Sequence, residues 1–278
     1  MYRNQYDSDV TVWSPQGRLH QLEYAAEAVK QGSATVGVKS KTHVVLAALK
    51  RSPNELTAHQ RKMFEIDAHV GISVAGLLSD GRIMARNLQQ ECAEWRYDHN
   101  EPMPIEALNQ RTLLRLQVNT QFYGRRPFGV GLLLAGYDRS GCHLVRVDPT
   151  AEVVECHAMS IGARSQSART YLEKQLTAFR TATKEELMVH ALIALRDTLP
   201  AEEQLSKDNT SLGVVGRDCV YTELAADEVE PLLEQAQQAP RARGQPADAA
   251  AHPAERMDED EQQPPAVEPQ PEGPQVED

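Results

Sequence analysis

Two cysteine–histidine pairs, Cys142-His143 and Cys156-His157, are residues whose types could do chemistry. Thiolate and imidazole bind zinc, but structural zinc sites use short fixed ligand spacings, and this spacing matches none of them. Neighbours in sequence on a strand also face opposite ways, so no metal site is expected. Arg125-Arg126-Pro127 is basic but too small to neutralise a run of phosphates. Gly129-Val130-Gly131 lacks the third glycine of a dinucleotide loop and opens no helix. Lys62, by residue type alone, reads as an exposed lysine at a strand edge. Asn209-Thr210-Ser211 is formally a glycosylation acceptor, but no apolar leader marks the start of the sequence, so it is expected to go unused. No cofactor is expected.

The elements that would position these residues follow from periodicity. Ala34, Val36 and Val38 alternate with polar or small residues as a half-buried strand does. Val44–Leu49 is an unbroken apolar run of strand length, expected to be buried on both faces. Met63–Ile66 and Val70–Ala75 read as two more strands. Ser79 and Asp80 are expected caps for a long helix with Ile83, Met84, Leu88, Cys92 and Trp95 inward. A second helix carries Ile105, Leu108, Thr112, Leu113 and Leu116. Strands follow near Phe128–Leu134, Cys142–Val147 and Val153–Cys156, the first two joined by an Asp138–Gly141 turn. Helices near Arg164–Phe179 and Lys184–Thr198 precede strands near Thr210–Val215 and Val220–Leu224. Runs of strands followed by runs of helices predict an α+β layout, and short turns favour antiparallel pairing.

Composition narrows the class. The 278 residues are 41% hydrophobic, enough for a sizeable core, and the net charge is −11. Without a basic stripe the chain is not expected to bind nucleic acid. No run of eighteen apolar residues predicts a membrane span. Four cysteines without a Cys-x-x-Cys fit a reducing compartment. Past Leu224 the periodicity dissolves. From Pro240 the sequence holds eight of the sixteen prolines and no aromatic residue, so residues 239–278 are expected to form a disordered acidic tail.

One stretch organises the rest. Residues 1–15 are polar and without helical period, and from Leu19 the residues Leu19, Leu22, Ala26 and Val29 fall on one helix face, with Gly32 just past its end. Within it stand Tyr6-Asp7, Ser14-Pro15, Gly17-Arg18-Leu19, Gln21 and Glu23-Tyr24-Ala25. This pattern closely resembles the N-terminal signature of proteasome alpha-type subunits. The resemblance continues through Gly32–Lys39, Gln121–Asp138 and Met159–Glu173 and covers residues 1–224.

The resemblance implies a four-layer αββα sandwich of the N-terminal-nucleophile hydrolase type, divided into a gate arm (1–15), an alpha-type domain (16–238) and the tail (239–278). It implies a subunit without catalytic residues, in a heteroheptameric outer ring with other alpha subunits, stacked on beta-type subunits and docking regulatory complexes. Ubiquitin-dependent and ubiquitin-independent protein degradation would belong to the complex, in cytoplasm and nucleus. Tyr6, Asp7, Pro15 and Tyr24 match the cluster that holds the tail over the axial pore. Lys62, Gly32, Gly76 and Leu77 match a pocket that receives the terminal carboxylate of an activator tail. Two departures stand out: Ser8 where the family has arginine, and Leu78-Ser79-Asp80-Gly81 where it usually has Thr-Ala-Asp-Ala.

In the related beta-type subunits a glycine precedes a catalytic threonine, which self-cleavage frees as nucleophile and base in one residue. Ser33 takes that place here, and the beta family's active-site aspartate matches Leu49. Ser33 is therefore expected to be silent. The alternatives are an active hydrolase cut between Gly32 and Ser33, and a freestanding paralogue acting as an interaction protein.

Overall fold

The computed structural model describes residues 5–52, 56–200 and 202–239. An irregular arm leads into α1 (His20–Gln31), followed by β1 (Thr35–Lys39), β2 (His43–Leu49), β3 (Met63–Asp67) and β4 (Val70–Gly76). Helices α2 (Leu78–His99) and α3 (Ile105–Gln121) come next, then β5 (Val130–Asp138), β6 (Gly141–Val147), β7 (Val153–Glu155) and β8 (Ala158–Ile161). The last elements are α4 (Ser165–Phe179), α5 (Lys184–Arg196), β9 (Thr210–Gly216), β10 (Cys219–Glu223) and α6 (Ala226–Gln238).

The strands form two antiparallel sheets, in the orders β10-β9-β2-β1-β8 and β3-β4-β5-β6-β7. The pleat of β2 explains its unbroken apolar run. Val45, Ala47 and Leu49 face a layer of α4, α5 and α6, while Val44, Leu46 and Ala48 face the other sheet. The second sheet does the same: Leu132 and Leu134 pack toward α2 and α3, and Leu133 and Ala135 turn to the inter-sheet core. Each sheet thus spends one face on the other sheet and one on helices. This is the expected αββα sandwich. A hydroxyl pair, Thr35 Oγ1 and Ser73 Oγ, spans the inter-sheet layer at 2.5 Å.

Several elements differ from expectation. Helix α6 lies where the periodicity was expected to have dissolved. It buries Val229, Leu233 and Ala236, at helical spacing, although Pro231 sits inside it. Its dense acidic residues and proline mask that stripe in the sequence. Ser79 and Asp80 do not cap α2. The N-cap is Leu77, without a side-chain cap, and Asp80 is buried within the first turn. Ile83 is exposed rather than inward. Phe128 precedes β5 instead of starting it, and Ala158–Ile161 forms a strand of its own. Helix α1 buries Val29 of the expected stripe together with His20 and Ala25, and leaves Leu22 and Ala26 half-buried. The expected tail beyond Ala239 and the first four residues of the arm lie outside the described residues.

Candidate functional site

The arm is fastened to the body of its own chain. The Asp9 carboxylate accepts from Thr11 N and Oγ1 at 2.8 and 2.7 Å, and from Gly124 N at 3.1 Å. Those bonds, the Thr11 backbone bond foremost, hold its pKa below the ordinary carboxylate value. Val10 next to it is 1% exposed. The Asp7 carbonyl accepts from Gln21 Nε2, and Tyr24 Oη donates to Asp7 Oδ2 at 3.2 Å. Ser14 to Gly17 closes a tight turn through Gly17 N to Ser14 O at 2.9 Å, with Pro15 at its second position, where a fixed φ favours turning. Arg18 then grips Glu23 with two bonds of 2.6 and 2.7 Å at the start of α1. Of the four residues expected to form a gate cluster, Asp7 and Tyr24 are hydrogen-bonded to each other. Pro15 sits in the turn, and Tyr6 is half-buried on the arm.

Where α1 meets β1, three stretches of backbone converge. A Cβ on Gly32 would lie 2.0 Å from Gly76 N, and one on Gly76 would lie 2.3 Å from Gly129 O. Gly76 has φ +113°, a conformation glycine takes without strain. Leu77 N donates to Gly129 O at 2.8 Å, fixing the entry to α2. Beside this junction is a recess of about 170 Å³ lined by Gln31, Gly32, Ser33, Arg51, Gln60, Lys62, Val74, Gly76 and Leu78. The structure therefore brings Gly32, Gly76 and Lys62 together. Leu77, 48% exposed, is not part of the lining, and its neighbour Leu78 is.

Lys62 is 5% exposed, so it is not the strand-edge lysine its type alone predicted. Its Nζ donates to Ser33 O at 2.5 Å, Ser33 Oγ at 2.7 Å and Ala34 O at 3.2 Å. All three ammonium donors are engaged. Burial, then the nearby Arg51 charge, pushes the Lys62 amine down to about 7. Ser33 nitrogen remains in the peptide bond from Gly32, and Leu49 is an apolar wall of a neighbouring cavity.

The Asp80 cluster, like the Asp9 bonds of the arm, escaped the sequence reading. Asp80, 1% exposed, accepts from both Arg126 terminal nitrogens at 2.6 and 2.8 Å and from Gly129 N at 2.9 Å. The Arg126 bonds are the largest cause of its depressed pKa. Arg125-Arg126-Pro127 is thus the structural loop into β5. A single loop, 122–129, reaches the arm through Gly124 and the glycine junction through Gly129. The cysteine–histidine pairs are differently engaged. His143 Nε2 lies 3.2 Å from Asp138 Oδ1, its Nδ1 lies 3.4 Å from Glu155 Oε1, and burial raises the Cys142 thiol to about 11. Among the described residues no group of three or more His, Cys, Asp or Glu could hold a metal.

Paired antiparallel sheets between helical layers, entered through an arm, a proline turn and a helix, define a proteasome-type subunit. The chain belongs to the proteasome subunit family: the family described as "Proteasome subunit" matches residues 29–215, and the N-terminal signature of the A-type proteasome subunits matches residues 6–28. It is 61% identical over 251 residues to proteasome subunit alpha type-1 of Caenorhabditis elegans, covering 90% of this chain and 96% of that one. It is 50% identical to the Drosophila melanogaster alpha type-1 protein, covering 81% and 82%, and 47% identical to that of Dictyostelium discoideum, covering 84% and 94%. Proteasome alpha subunits assemble with other proteasome subunits, and protein degradation is the process they serve.

Proposed function

We propose that this chain is a non-catalytic member of the outer ring of the proteasome core particle, where it gates substrate entry and docks regulatory complexes. The observation that carries this reading is the fastened arm. Among its described residues the polar N-terminal arm forms no strand or α-helix, and it is held at Asp7 and Asp9 by Tyr24, Gln21 and Gly124. The bonds to the Asp7 and Asp9 carboxylates from Tyr24 and Gly124 are exposed to water, the kind of contact a rearranging pore cover can exchange. The beta-type subunits, the other alpha subunits and the activators are its proposed partners, in both ubiquitin-dependent and ubiquitin-independent degradation. Cytoplasm and nucleus are the proposed compartments, on the cysteine usage.

Lys62 is the proposed receptor of the activator's terminal carboxylate. A carboxylate entering the recess of Gly32, Gly76 and Lys62 would replace a carbonyl as the partner of an ammonium donor and restore its charged form. Fractionation of a native extract by size tests assembly directly. The chain should elute mostly at very high mass, and elution near its own 30.9 kDa would favour the freestanding paralogue instead.

One observation favours a second reading. An amine with its pKa near 7 stands 2.7 Å from Ser33 Oγ, a distance suited to a serine–lysine hydrolase. Against it, Leu49 stands where the acid would be, and Ser33 gains a free amine only if the chain is cut after Gly32. A mature chain beginning at Ser33, found by intact-mass measurement, would restore the hydrolase.

A further inference from the structure

Next to the Lys62 recess lies a larger cavity of about 450 Å³. Among the described residues its lining carries three cations, Lys50, Arg51 and Arg164, with the His59 imidazole beside them. Lys50 follows β2, Arg51 comes next, His59 approaches from the chain before β3, and Arg164 opens α4. Among the described residues Lys50, Arg51 and Arg164 form no ion pair, whereas Arg18, Arg61, Arg96, Arg115, Arg126, Arg139 and Arg146 do. Among the described residues Glu203 is the one carboxylate of the lining. Arg164 adopts φ +53°, where glycine would sit without strain, and no acidic residue occupies the first turn of α4 behind it. The positive end of the α4 dipole favours negative charge as well. Asn209 adds a neutral polar wall. Arg51 lines both this cavity and the Lys62 recess, so the two adjoin.

We propose that this cavity receives acidic side chains of the same extended peptide whose terminal carboxylate reaches Lys62. This inference rests on the docking role given to Lys62 above. The recess is narrow and suits a chain end; the cavity is more than twice its volume and suits side chains upstream of that end. Guanidinium and ammonium groups without an ion-pair partner in a half-enclosed space bind carboxylates with charge-assisted hydrogen bonds. The cavity thereby selects activator tails by charge, and the recess by the chain end.

The test uses assembled core particles and a labelled peptide that ends in a free carboxylate with glutamates just upstream. Its glutamine counterpart and its C-terminal amide serve as probes beside it, and binding is read by fluorescence anisotropy. On the unaltered particle the glutamine peptide should bind about tenfold more weakly at this site. In Lys50→Gln or Arg164→Gln particles that difference should shrink; the two single variants act separately, so one that fails to assemble leaves the other. Equal discrimination in the unaltered and variant particles overturns the proposal. Equal binding of the glutamate and glutamine peptides, with weaker binding of the amide, overturns it and leaves the Lys62 reading standing. Indifference to the amide as well removes the Lys62 reading too. If the variants instead lose affinity for inorganic tripolyphosphate while the two peptides bind alike, the cavity takes a small polyanion and the peptide proposal fails.

Discussion

Lys62 Nζ stands 2.7 Å from Ser33 Oγ and spends its remaining donors on the Ser33 and Ala34 carbonyls. The pair fixes the start of β1 against the start of β3. It also makes Lys62 costly to remove: Lys62→Met would strand two buried carbonyls and lose about 1–3 kcal/mol of stability. The folded amine titrates near 7 against 10.5 for a free lysine, so the unfolded chain holds the extra proton between those values. Stability from this group therefore rises from pH 7 toward 10.5 and is lost as pH falls through 7. Carboxylate docking runs the other way, because it needs the ammonium. Binding of a free-carboxylate peptide should weaken about fivefold from pH 7 to pH 8. A flat profile, measured by anisotropy, would remove Lys62 as the receptor.

Ser33→Ala should leave every peptidase activity of the assembled particle unchanged, within the error of a fluorogenic-peptide assay. The substitution removes one hydrogen bond from Lys62 and costs about 1 kcal/mol of folding stability. Disappearance of one cleavage class would overturn the non-catalytic reading.

Shortening the arm separates two effects. Deleting residues 1–8 removes Asp7 and its bond to Tyr24 but spares Asp9 and Val10, so folding should hold and basal hydrolysis of small peptides should rise. The rise should be modest, because Ser8 already replaces the family arginine. Deleting residues 1–12 also removes Val10, 1% exposed, and should lower stability by a further 1.5–3 kcal/mol or thereabouts. Equal basal rates at equal assembly would mean that the arm does not gate.

Asp80→Asn should lower the melting temperature. It discards a carboxylate that receives two Arg126 bonds and the Gly129 amide, for a loss of about 1.5–3 kcal/mol. The Asp80 pKa is depressed from 3.8, so its contribution is present above that value and lost as pH falls through the lower folded one. The variant should therefore show less loss of stability on acidification than the parent. Identical acid profiles by circular dichroism would contradict this.

Truncation before residue 240 should leave the melting temperature and ring incorporation unchanged, on composition alone. Truncation before Ala226 should not. It removes α6 with buried Val229 and Leu233, and the Ala236 and Ala239 carbonyls that accept from Arg196 Nη1 at 2.5 and 2.7 Å. Equal melting of the two truncations would deny α6 its place in the core.

The layering was legible in part because Val44–Leu49 needs cover on both faces. The four-layer sandwich itself followed from the resemblance carried by Tyr6 to Ala25, since helices on both faces would cover such a run equally well. Helix α6 was hidden because Val229, Leu233 and Ala236 are diluted by acids and Pro231. The site was less legible. Glycine at positions 32 and 76 shows in the sequence, but their approach is a tertiary fact. Asp9 and Asp80 carry no local mark of importance. Their partners, Gly124 and Arg126, are 115 and 46 residues away, and no periodicity spans such gaps. The charge of Lys62 was visible, and its burial was not.

Gly32 and Gly76 touch backbone to backbone, with no side chain between them. Side chains are the springs of a protein interior: a displaced neighbour is usually absorbed by a rotamer. Here there is no spring. Whatever wedges β4 away must carry the end of α1 with it, or break the junction. Helix α1 has twelve residues, so about 18 Å of rigid rod separates that junction from the proline turn at its other end. A shift at the glycines would therefore travel along the helix toward the turn at Pro15, where a side-chain contact would have taken it up locally.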